Sequence, residues 1–279
     1  MSYEYDTLKV ALADGVATVS IDNPPINVLD LALLTDLHDF AGDVAEDRDV
    51  KVIVFESADP EFFMPHGDMN FTFAPLSELG PELALEQSAD LNPMQRVFER
   101  FRQLRQVTIG KLSGYARGGG VEFLSALDMR FAGTERGKLA QMEVGIGMIP
   151  GGGTAYLPPL IGRARTLEVI SGADLFDAAT AERYGWINRA VPDGELDAFV
   201  SKLARRIARL DFDQIVSGKT AVDAGVVPLL PALIVENREL AKLFSSPAVT
   251  TLTRAALDAG AQTRAGERDL EGLLDGLSR

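Results

Sequence analysis

The chain of 279 residues contains no cysteine, two histidines and one tryptophan. The absence of cysteine excludes thiol nucleophiles, disulfide bonds and cysteine-ligated zinc or iron sites. His38 and His66 lie far apart in the sequence, which argues against a His-rich metal centre and leaves two possible bases for a Ser-His-Asp triad. We therefore expect no metal site, and we expect carboxylates and backbone dipoles to carry any chemistry.

Basic residues are scarce as well: 27 Lys and Arg stand against 41 Asp and Glu, giving a formal net charge of −14. A phosphate backbone or an anionic lipid surface would be repelled, so we predict no nucleic-acid and no membrane partner. The first residues lack the basic and apolar regions of a secretory signal. The longest apolar run, residues 226–235, is interrupted by Pro228 and Pro231 and is too short to cross a bilayer. The lack of cysteine fits the cytoplasm, which we expect to be the location.

Hydrophobic periodicity divides the chain into two parts. Strand-like and helical patterns alternate up to about residue 195, beginning with a hairpin of residues 8–12 and 16–21 around Asp14-Gly15. Helical patterns follow from there on, so we predict an α/β core with the active site in residues 1–195 and a helical C-terminal region in residues 196–279. We expect residues 58–93 to form a mobile segment with short helices, and the tail of residues 263–279 to fray.

The most informative local pattern is a glycine run followed by two glutamates. Gly118-Gly119-Gly120-Val121-Glu122 is followed by Glu143 and then by Pro150-Gly151-Gly152-Gly153. A helix that starts in glycines offers unpaired N–H groups and the positive end of its dipole, and a ligand can approach that backbone closely. Such a turn beside paired carboxylates suits acid–base chemistry next to a carbonyl. The alternative is a tight turn that only lets a helix and a strand pack together.

Nucleotide binding by these glycines is disfavoured. Residues 145–150 nearly match the dinucleotide pattern G-x-G-x-x-G, but Pro150 occupies the place of the third glycine. The run at residues 118–120 does not match that pattern, and the chain contains no P-loop motif.

Five motifs in a fixed order resemble the enoyl-CoA hydratase/isomerase family, also called the crotonase family. They are NPPINVL at residues 23–29, VIVF with FFMPHGDM within residues 52–69, GYARGGGVE at residues 114–122, EVGIGMIPGGGT at residues 143–154, and residues 181–192. The resemblance covers roughly residues 8–240. It implies a crotonase-like spiral of repeated ββα units, followed by a helical C-terminal trimerisation region, and hence a homotrimer or a dimer of trimers.

The resemblance also implies an acyl-CoA thioester substrate, with coenzyme A as part of the substrate and no separate cofactor. The thioester oxygen would accept hydrogen bonds from the backbone N–H groups of Gly67 and Gly119, which form an oxyanion hole. Glu122 and Glu143 match the two acids of the family's hydratases. Glu122 would activate the water that adds to C3, and Glu143 would deliver the proton to C2. Two carboxylates with separated pKa values can do both tasks more readily than one.

Further residues in these motifs are expected to bind the substrate: Met64, Pro65, His66, Asp68, Met69, Tyr115, Arg117, Gly118, Pro150 and Gly151. His66 replaces a glycine usual in the family, and is either a packed side chain or a polar group at the acyl or CoA pocket. Arg117 replaces an apolar residue and could contact a substrate oxygen or, as we favour, an acidic neighbour. Asp68 is expected to cap a helix. The tail lacks the ending, rich in Phe, Lys and Arg, that often helps to bind CoA.

Retention of both glutamates makes hydration of a 2-enoyl-CoA to the 3-hydroxyacyl-CoA the leading hypothesis. Isomerisation of a 3-enoyl-CoA remains an alternative, because one glutamate could shuttle a proton between C2 and C4. A non-catalytic acyl-CoA-binding protein of the same fold is the third possibility, suggested by the unusual loop around His66 and by the tail.

Overall fold

The computed structural model describes residues 3–73, 90–244 and 246–277. The central part of the segment expected to be mobile, residues 74–89, lies outside the described residues. The strands are β1 Leu8–Ala13, β2 Val16–Ile21, β3 Val52–Ser57, β4 Phe62–Met64, β5 Val107–Leu112, β6 Tyr115–Arg117, β7 Met129–Gly133, β8 Lys138–Ala140, β9 Phe176–Asp177 and β10 Arg189–Val191.

The α-helices are α1 Leu31–Ala45, α2 Pro93–Gln103, α3 Gly119–Ala126, α4 Gly153–Gly172, α5 Ala178–Tyr184, α6 Leu196–Ala208, α7 Phe212–Asp223, α8 Leu230–Phe244, α9 Pro247–Asp258, α10 Arg264–Glu267 and α11 Leu270–Leu277. Short 3₁₀ helices span Met69–Thr72, Glu143–Ile146 and Asp193–Glu195. Within the described residues, no helix combines the length and the apolar character needed to cross a lipid bilayer.

Two sheets form the core of the described chain. One has the strand order β1-β2-β3-β5-β7-β10 and the other the order β4-β6-β8-β9. The pairs β3 with β5, β5 with β7, β4 with β6 and β6 with β8 are all parallel. Successive strand pairs therefore give one strand to each sheet, and α3 and α4 follow the second and third pairs. This confirms the predicted α/β class and the repeated ββα arrangement, and the predicted hairpin β1–β2 is also present.

Alternation along β3 explains how both faces of the larger sheet are covered. Val52 and Val54 pack with α6, whereas Ile53 and Phe55 face the main core with α1, α2 and α3. Both sets are buried because a strand sends successive side chains to opposite faces. Helix α1 begins where the sequence predicts, since the Asp30 carboxylate accepts a hydrogen bond from the Leu33 N–H at 2.9 Å.

Two expectations about flexible segments need correction. Residues 58–73 include a short 3₁₀ helix, as predicted, but they also form strand β4, which pairs with β6 and whose residues Phe62, Phe63 and Met64 are fully buried. The tail does not fray over its described part. Helices α10 and α11 bury Glu267, Leu270 and Leu274, and α11 packs against the 3₁₀ helix that carries Glu143. The division into two regions at residue 195 stays a prediction.

Candidate active site

The loop after β4 is held in place by the motif of residues 23–29. Leu29 forms an isolated parallel bridge with Gly67: its N–H donates to the His66 carbonyl at 2.9 Å, and its carbonyl accepts from the Asp68 N–H at 3.0 Å. In this pattern the intervening N–H of Gly67 faces away from the bridge partner. Among the described residues it donates to no backbone carbonyl. The loop therefore presents one unpaired backbone donor.

The glycine run brings a second backbone segment to the same place. Gly118 adopts a positive φ of 46°, and its N–H donates to the Ala140 carbonyl at 3.0 Å. A β-carbon on Gly119 would lie 3.4 Å from the Gly67 nitrogen, so these two backbones converge. A β-carbon on Gly120 would lie 2.0 Å from the Met64 carbonyl oxygen. Gly120 thus serves packing, whereas Gly119 lies at the start of α3 beside Gly67.

Glu122 lies one turn into α3 and is almost fully buried. Its Oε1 accepts hydrogen bonds from the N–H groups of Gly151 at 2.8 Å and Gly153 at 3.3 Å. The second glycine run is therefore the N-terminal turn of α4 wrapped around this carboxylate. Burial raises the pKa of Glu122 to about 7, although these N–H groups oppose the rise. Oε2 has no hydrogen-bond partner among the described residues.

Glu143 begins a 3₁₀ helix and is only partly buried. Burial of the carboxyl group raises its pKa well above the ordinary value, and the nearby charge of Glu122 adds to the rise. Its Oε2, like that of Glu122, has no hydrogen-bond partner within the described chain. A β-carbon on Gly118 would lie 2.5 Å from the Glu143 Oε1, so these two positions adjoin, and the positive φ of Gly118 explains why glycine stands there. The two carboxyl groups therefore titrate as an interacting pair.

A cavity of about 600 Å³ joins these groups. Gly67, Gly119, Glu122 and Glu143 all lie on its wall. Most of the remaining wall is apolar and comes from distant parts of the chain: Met69, Phe71, Phe73, Pro93, Met94, Met142, Ile146, Met148, Ile149, Leu240, Ala241 and Phe244. An apolar cavity with a few convergent polar groups is the usual form of a small-molecule site.

The predicted substrate-binding residues divide into two groups. His66, Asp68, Met69 and Gly151 line the cavity. Asp68 also caps the following 3₁₀ helix, as predicted, by accepting from the Asn70 N–H at 2.9 Å.

The other predicted residues do not belong to the described cavity wall: Met64, Pro65, Tyr115, Arg117, Gly118 and Pro150. Met64 is fully buried beneath α3. Tyr115 stacks on Phe62 with ring centroids 5.7 Å apart. Arg117 is 0% exposed and donates two hydrogen bonds to Glu271, at 2.6 and 2.9 Å, so the favoured acidic neighbour is found. A contact of Arg117 with the substrate stays a prediction.

Sequence reasoning missed a third buried carboxylate. Glu236 on α8 is 2% exposed and accepts from the Thr154 N–H at 2.6 Å and from the Gln95 amide at 3.2 Å. Burial, followed by the charge of Glu122, raises its pKa to about 8. Its position was visible in the sequence, because Leu233, Glu236 and Leu240 share one face of a helical pattern. A carboxylate within an apolar stripe indicates a buried polar contact.

Comparisons with known proteins agree with this geometry. The family model for enoyl-CoA hydratase/isomerase matches residues 12–256. The chain is 28% identical to a crotonyl-CoA hydratase from Syntrophomonas wolfei over 73% of its length and 76% of the relative's. It is 27% identical to a short-chain-enoyl-CoA hydratase from Clostridium acetobutylicum, over 83% of this chain and 87% of that one.

A solved structure shows the same similarity to enoyl-CoA hydratases. A candidate enoyl-CoA hydratase from Streptomyces avermitilis is 47% identical and superposes with a TM-score of 0.94, covering 99% of this chain and 100% of the other. The fold and the site define an α/β protein of the crotonase type. The chain belongs to the enoyl-CoA hydratase/isomerase family, which confirms the resemblance seen in its motifs.

Proposed function

We propose that the protein adds water to the double bond of a 2-enoyl-CoA thioester and so forms the 3-hydroxyacyl-CoA. The observation that supports this most directly is the shared cavity. It contains two converging glycine backbones and two glutamates, each with one carboxylate oxygen that has no hydrogen-bond partner in the described part of the chain. The names of the relatives from Syntrophomonas wolfei and Clostridium acetobutylicum point to the same reaction.

In the proposed mechanism, the thioester oxygen accepts hydrogen bonds from the N–H groups of Gly67 and Gly119. These donors stabilise the enolate-like charge that develops when C3 is attacked. One such donor typically lowers the activation barrier by about 3–4 kcal/mol. The low polarity of the cavity wall strengthens both interactions.

The two glutamates divide the proton transfers. Glu122, with a pKa of about 7, is substantially ionised at neutral pH and accepts a proton from the attacking water. Glu143, with its strongly raised pKa, retains a proton and donates it to C2. The C–O bond forms at C3 and the C–H bond at C2, so the net change is the addition of one water. The two glutamates exchange protonation states and must re-equilibrate before the next turnover.

The wall of the cavity favours an apolar acyl group. Methionine, phenylalanine and isoleucine side chains supply most of the contact surface beyond the two glutamates. We therefore propose an unsubstituted hydrocarbon chain as the acyl part of the substrate. The proposed steps need no group beyond two carboxylates and two N–H groups, so we expect full turnover after dialysis against a chelator.

We also propose that the chain self-associates, as a homotrimer or a dimer of trimers. Apolar side chains are exposed on the segment from α7 to α8: Val222, Val226, Val227, Leu230 and Val235, with Val227 at 75% exposure. Contiguous exposed apolar residues commonly mark a protein interface. Sedimentation of the purified protein tests this, and a monomer at micromolar concentration would contradict it.

Isomerisation of a 3-enoyl-CoA is the second candidate. It is supported by the place of Glu143 on the cavity wall and by its Oε2, which has no hydrogen-bond partner among the described residues, so this carboxyl group could move a proton between C2 and C4 without Glu122. Turnover of a 3-enoyl-CoA that survives the substitution Glu122→Gln would support this reading. Acyl-CoA binding without any turnover would support a non-catalytic role.

The loss of crotonyl-CoA absorbance tests the main proposal. Wild-type protein is compared with Glu122→Gln, Glu143→Gln and the control Glu182→Gln, which alters an exposed glutamate outside the described cavity wall. We expect each cavity variant to lose two or more orders of magnitude in kcat, in line with the usual contribution of about 10² to 10⁴ from a general acid or base. The control should keep wild-type activity. Equal turnover in all four proteins would refute the two-carboxylate mechanism.

A further inference from the structure

His66 lies in the loop that presents the Gly67 N–H, and its imidazole ring is 3% exposed. Nδ1 lies 2.8 Å from the Gly67 carbonyl oxygen, and Nε2 lies 2.9 Å from the Glu267 Oε1. A carbonyl and a carboxylate oxygen can only accept hydrogen bonds. Both ring nitrogens must therefore carry a proton, which makes the ring a buried imidazolium cation.

The partner carboxylate belongs to a buried network at the C-terminus. Glu267, at the end of α10, also accepts from the Gln262 N–H at 2.8 Å, and its Oε2 lies 3.6 Å from an Nη1 of Arg117. Arg117 is held in turn by Glu271 on α11. The cations His66 and Arg117 thus balance the anions Glu267 and Glu271 in a largely buried cluster. Leaving one of them without its partner would be costly, because buried charges are stable only when paired.

The charged groups around His66 come from every element packed against it. Glu267 faces it from α10, Arg117 from β6, and Asp68 follows it closely in its own loop. Glu143 lies beside Gly118, as does His66. A β-carbon on Gly118 would lie 2.5 Å from the Glu143 Oε1 and 3.6 Å from the His66 Cβ. Burial opposes the charge on the ring, but Glu267 and the Gly67 carbonyl outweigh burial and the repulsion of Arg117. The pKa of His66 consequently lies above its ordinary 6.5.

We propose that His66 is a positively charged positioning residue, through which the docking of α10 and α11 fixes the geometry and the electrostatic field of the Gly67 N–H. This rests on the proposed function, in which that N–H binds the thioester oxygen. The imidazolium is bonded to the carbonyl of Gly67 itself, so it restrains the donor-bearing turn. Because His66 and Gly67 both line the cavity, the imidazolium would also add a positive charge to the wall that binds the thioester oxygen. The C-terminal helices would thereby complete the site of their own chain.

Nitrogen-15 NMR of the wild-type protein tests the charge directly. The chain has only two histidines, and a His38→Gln variant assigns their signals. We expect both ring nitrogens of His66 to be protonated at pH 7.5, because each of them faces a hydrogen-bond acceptor. A neutral tautomer at pH 7.5 would overturn the proposal, and this result does not depend on any enzymatic activity.

The substitution Glu267→Gln tests the positioning role. Glutamine can still bond to a neutral imidazole, so the contact is kept while the charge is removed. We expect kcat to fall roughly three- to tenfold with KM within about twofold, less than the loss of a whole oxyanion donor. The control is Arg268→Gln. This substitution, directly after α10, removes an exposed ion pair between Arg268 and Glu61 and leaves the contacts of His66 unchanged. An equal effect of both variants would mean that docking alone matters, and would refute the role of the charge.

A readout without turnover separates this proposal from the proposed function. Acetoacetyl-CoA can bind as its enolate, which absorbs in the near ultraviolet. Wild-type protein should hold a larger enolate fraction at pH 7.5 than Glu267→Gln, and Arg268→Gln should match the wild type. If no enoyl-CoA is hydrated but this difference appears, only the proposed reaction fails. If the enolate fractions are equal, the inference about His66 fails.

Discussion

Replacing Glu122 by glutamine should stabilise the protein while abolishing its proposed activity. Burial shifts the pKa of this carboxyl group from an ordinary 4.5 to about 7 in the folded chain. That difference of about 2.5 pH units corresponds to about 3 kcal/mol, at about 1.36 kcal/mol per unit. The folded state prefers the protonated form, so this stability is complete below pH 4.5 and is lost as the pH rises from 4.5 through about 7.

Glutamine cannot ionise, but it still offers an oxygen to the N–H groups of Gly151 and Gly153. The variant should therefore resemble the wild type near pH 4.5 and exceed its free energy of unfolding by about 3 kcal/mol at pH 8. Denaturant unfolding of both proteins at the two pH values measures this difference, and Glu182→Gln serves as the exposed control. A stability difference that does not change between the two pH values would refute the reasoning.

Three further predictions concern packing and proton transfer. Gly120→Ala should destabilise the protein by about 1–3 kcal/mol because the added β-carbon would lie 2.0 Å from the Met64 carbonyl oxygen. Gly218→Ala on α7, where the β-carbon would enter open space, should stabilise the protein by about 0.5–1 kcal/mol. Thermal unfolding of both variants measures these changes. The kcat of the wild type should decline at alkaline pH as Glu143 loses the proton held by its raised pKa, and a profile that is flat up to pH 10 would contradict this. At pH 4.5, where the raised pKa of Glu236 costs the folded state little, Glu236→Ala should lower stability by about 1–3 kcal/mol because it leaves buried donors unpaired. Glu239→Ala on the exposed face of α8 should change stability by less than about 1 kcal/mol at that pH, and similar losses in both would contradict the buried role of Glu236.

The parts of the fold predicted from the sequence are those set by local chemistry. The cap at Asp30, the turn at Asp14-Gly15 and the start of α3 after Gly118 depend on residues within a few positions of one another. Short strands were harder to predict, because three residues such as those of β4 or β6 are too few to show a period of two. Their order comes from pairing in the second sheet, which local patterns do not reveal.

In the candidate site, too, the local motifs could be predicted from the sequence, whereas the contacts between distant residues could not. Gly67, Gly119, Glu122 and Glu143 lie in motifs, and the structure brings all four to one cavity. The bonds that tune them join distant positions: Gly151 to Glu122, and Glu267 to His66 across 201 residues. The tail was expected to fray, yet its residues Glu267 and Glu271 pair with His66 and Arg117. A charged residue gains its role from its partner, and the partner is known only from the tertiary structure.

The identity of the atoms that the protein adds to its substrate tests the central claim most directly. Crotonyl-CoA is incubated with the wild-type protein in heavy water enriched in oxygen-18, and the product is analysed by mass spectrometry and NMR. The proposed hydration predicts one oxygen-18 at C3 and one deuterium at C2 in a single 3-hydroxyacyl-CoA, with the Glu122→Gln and Glu143→Gln proteins giving almost none. Recovery of an enoyl-CoA that carries deuterium but no oxygen-18, or of unchanged substrate, would contradict it.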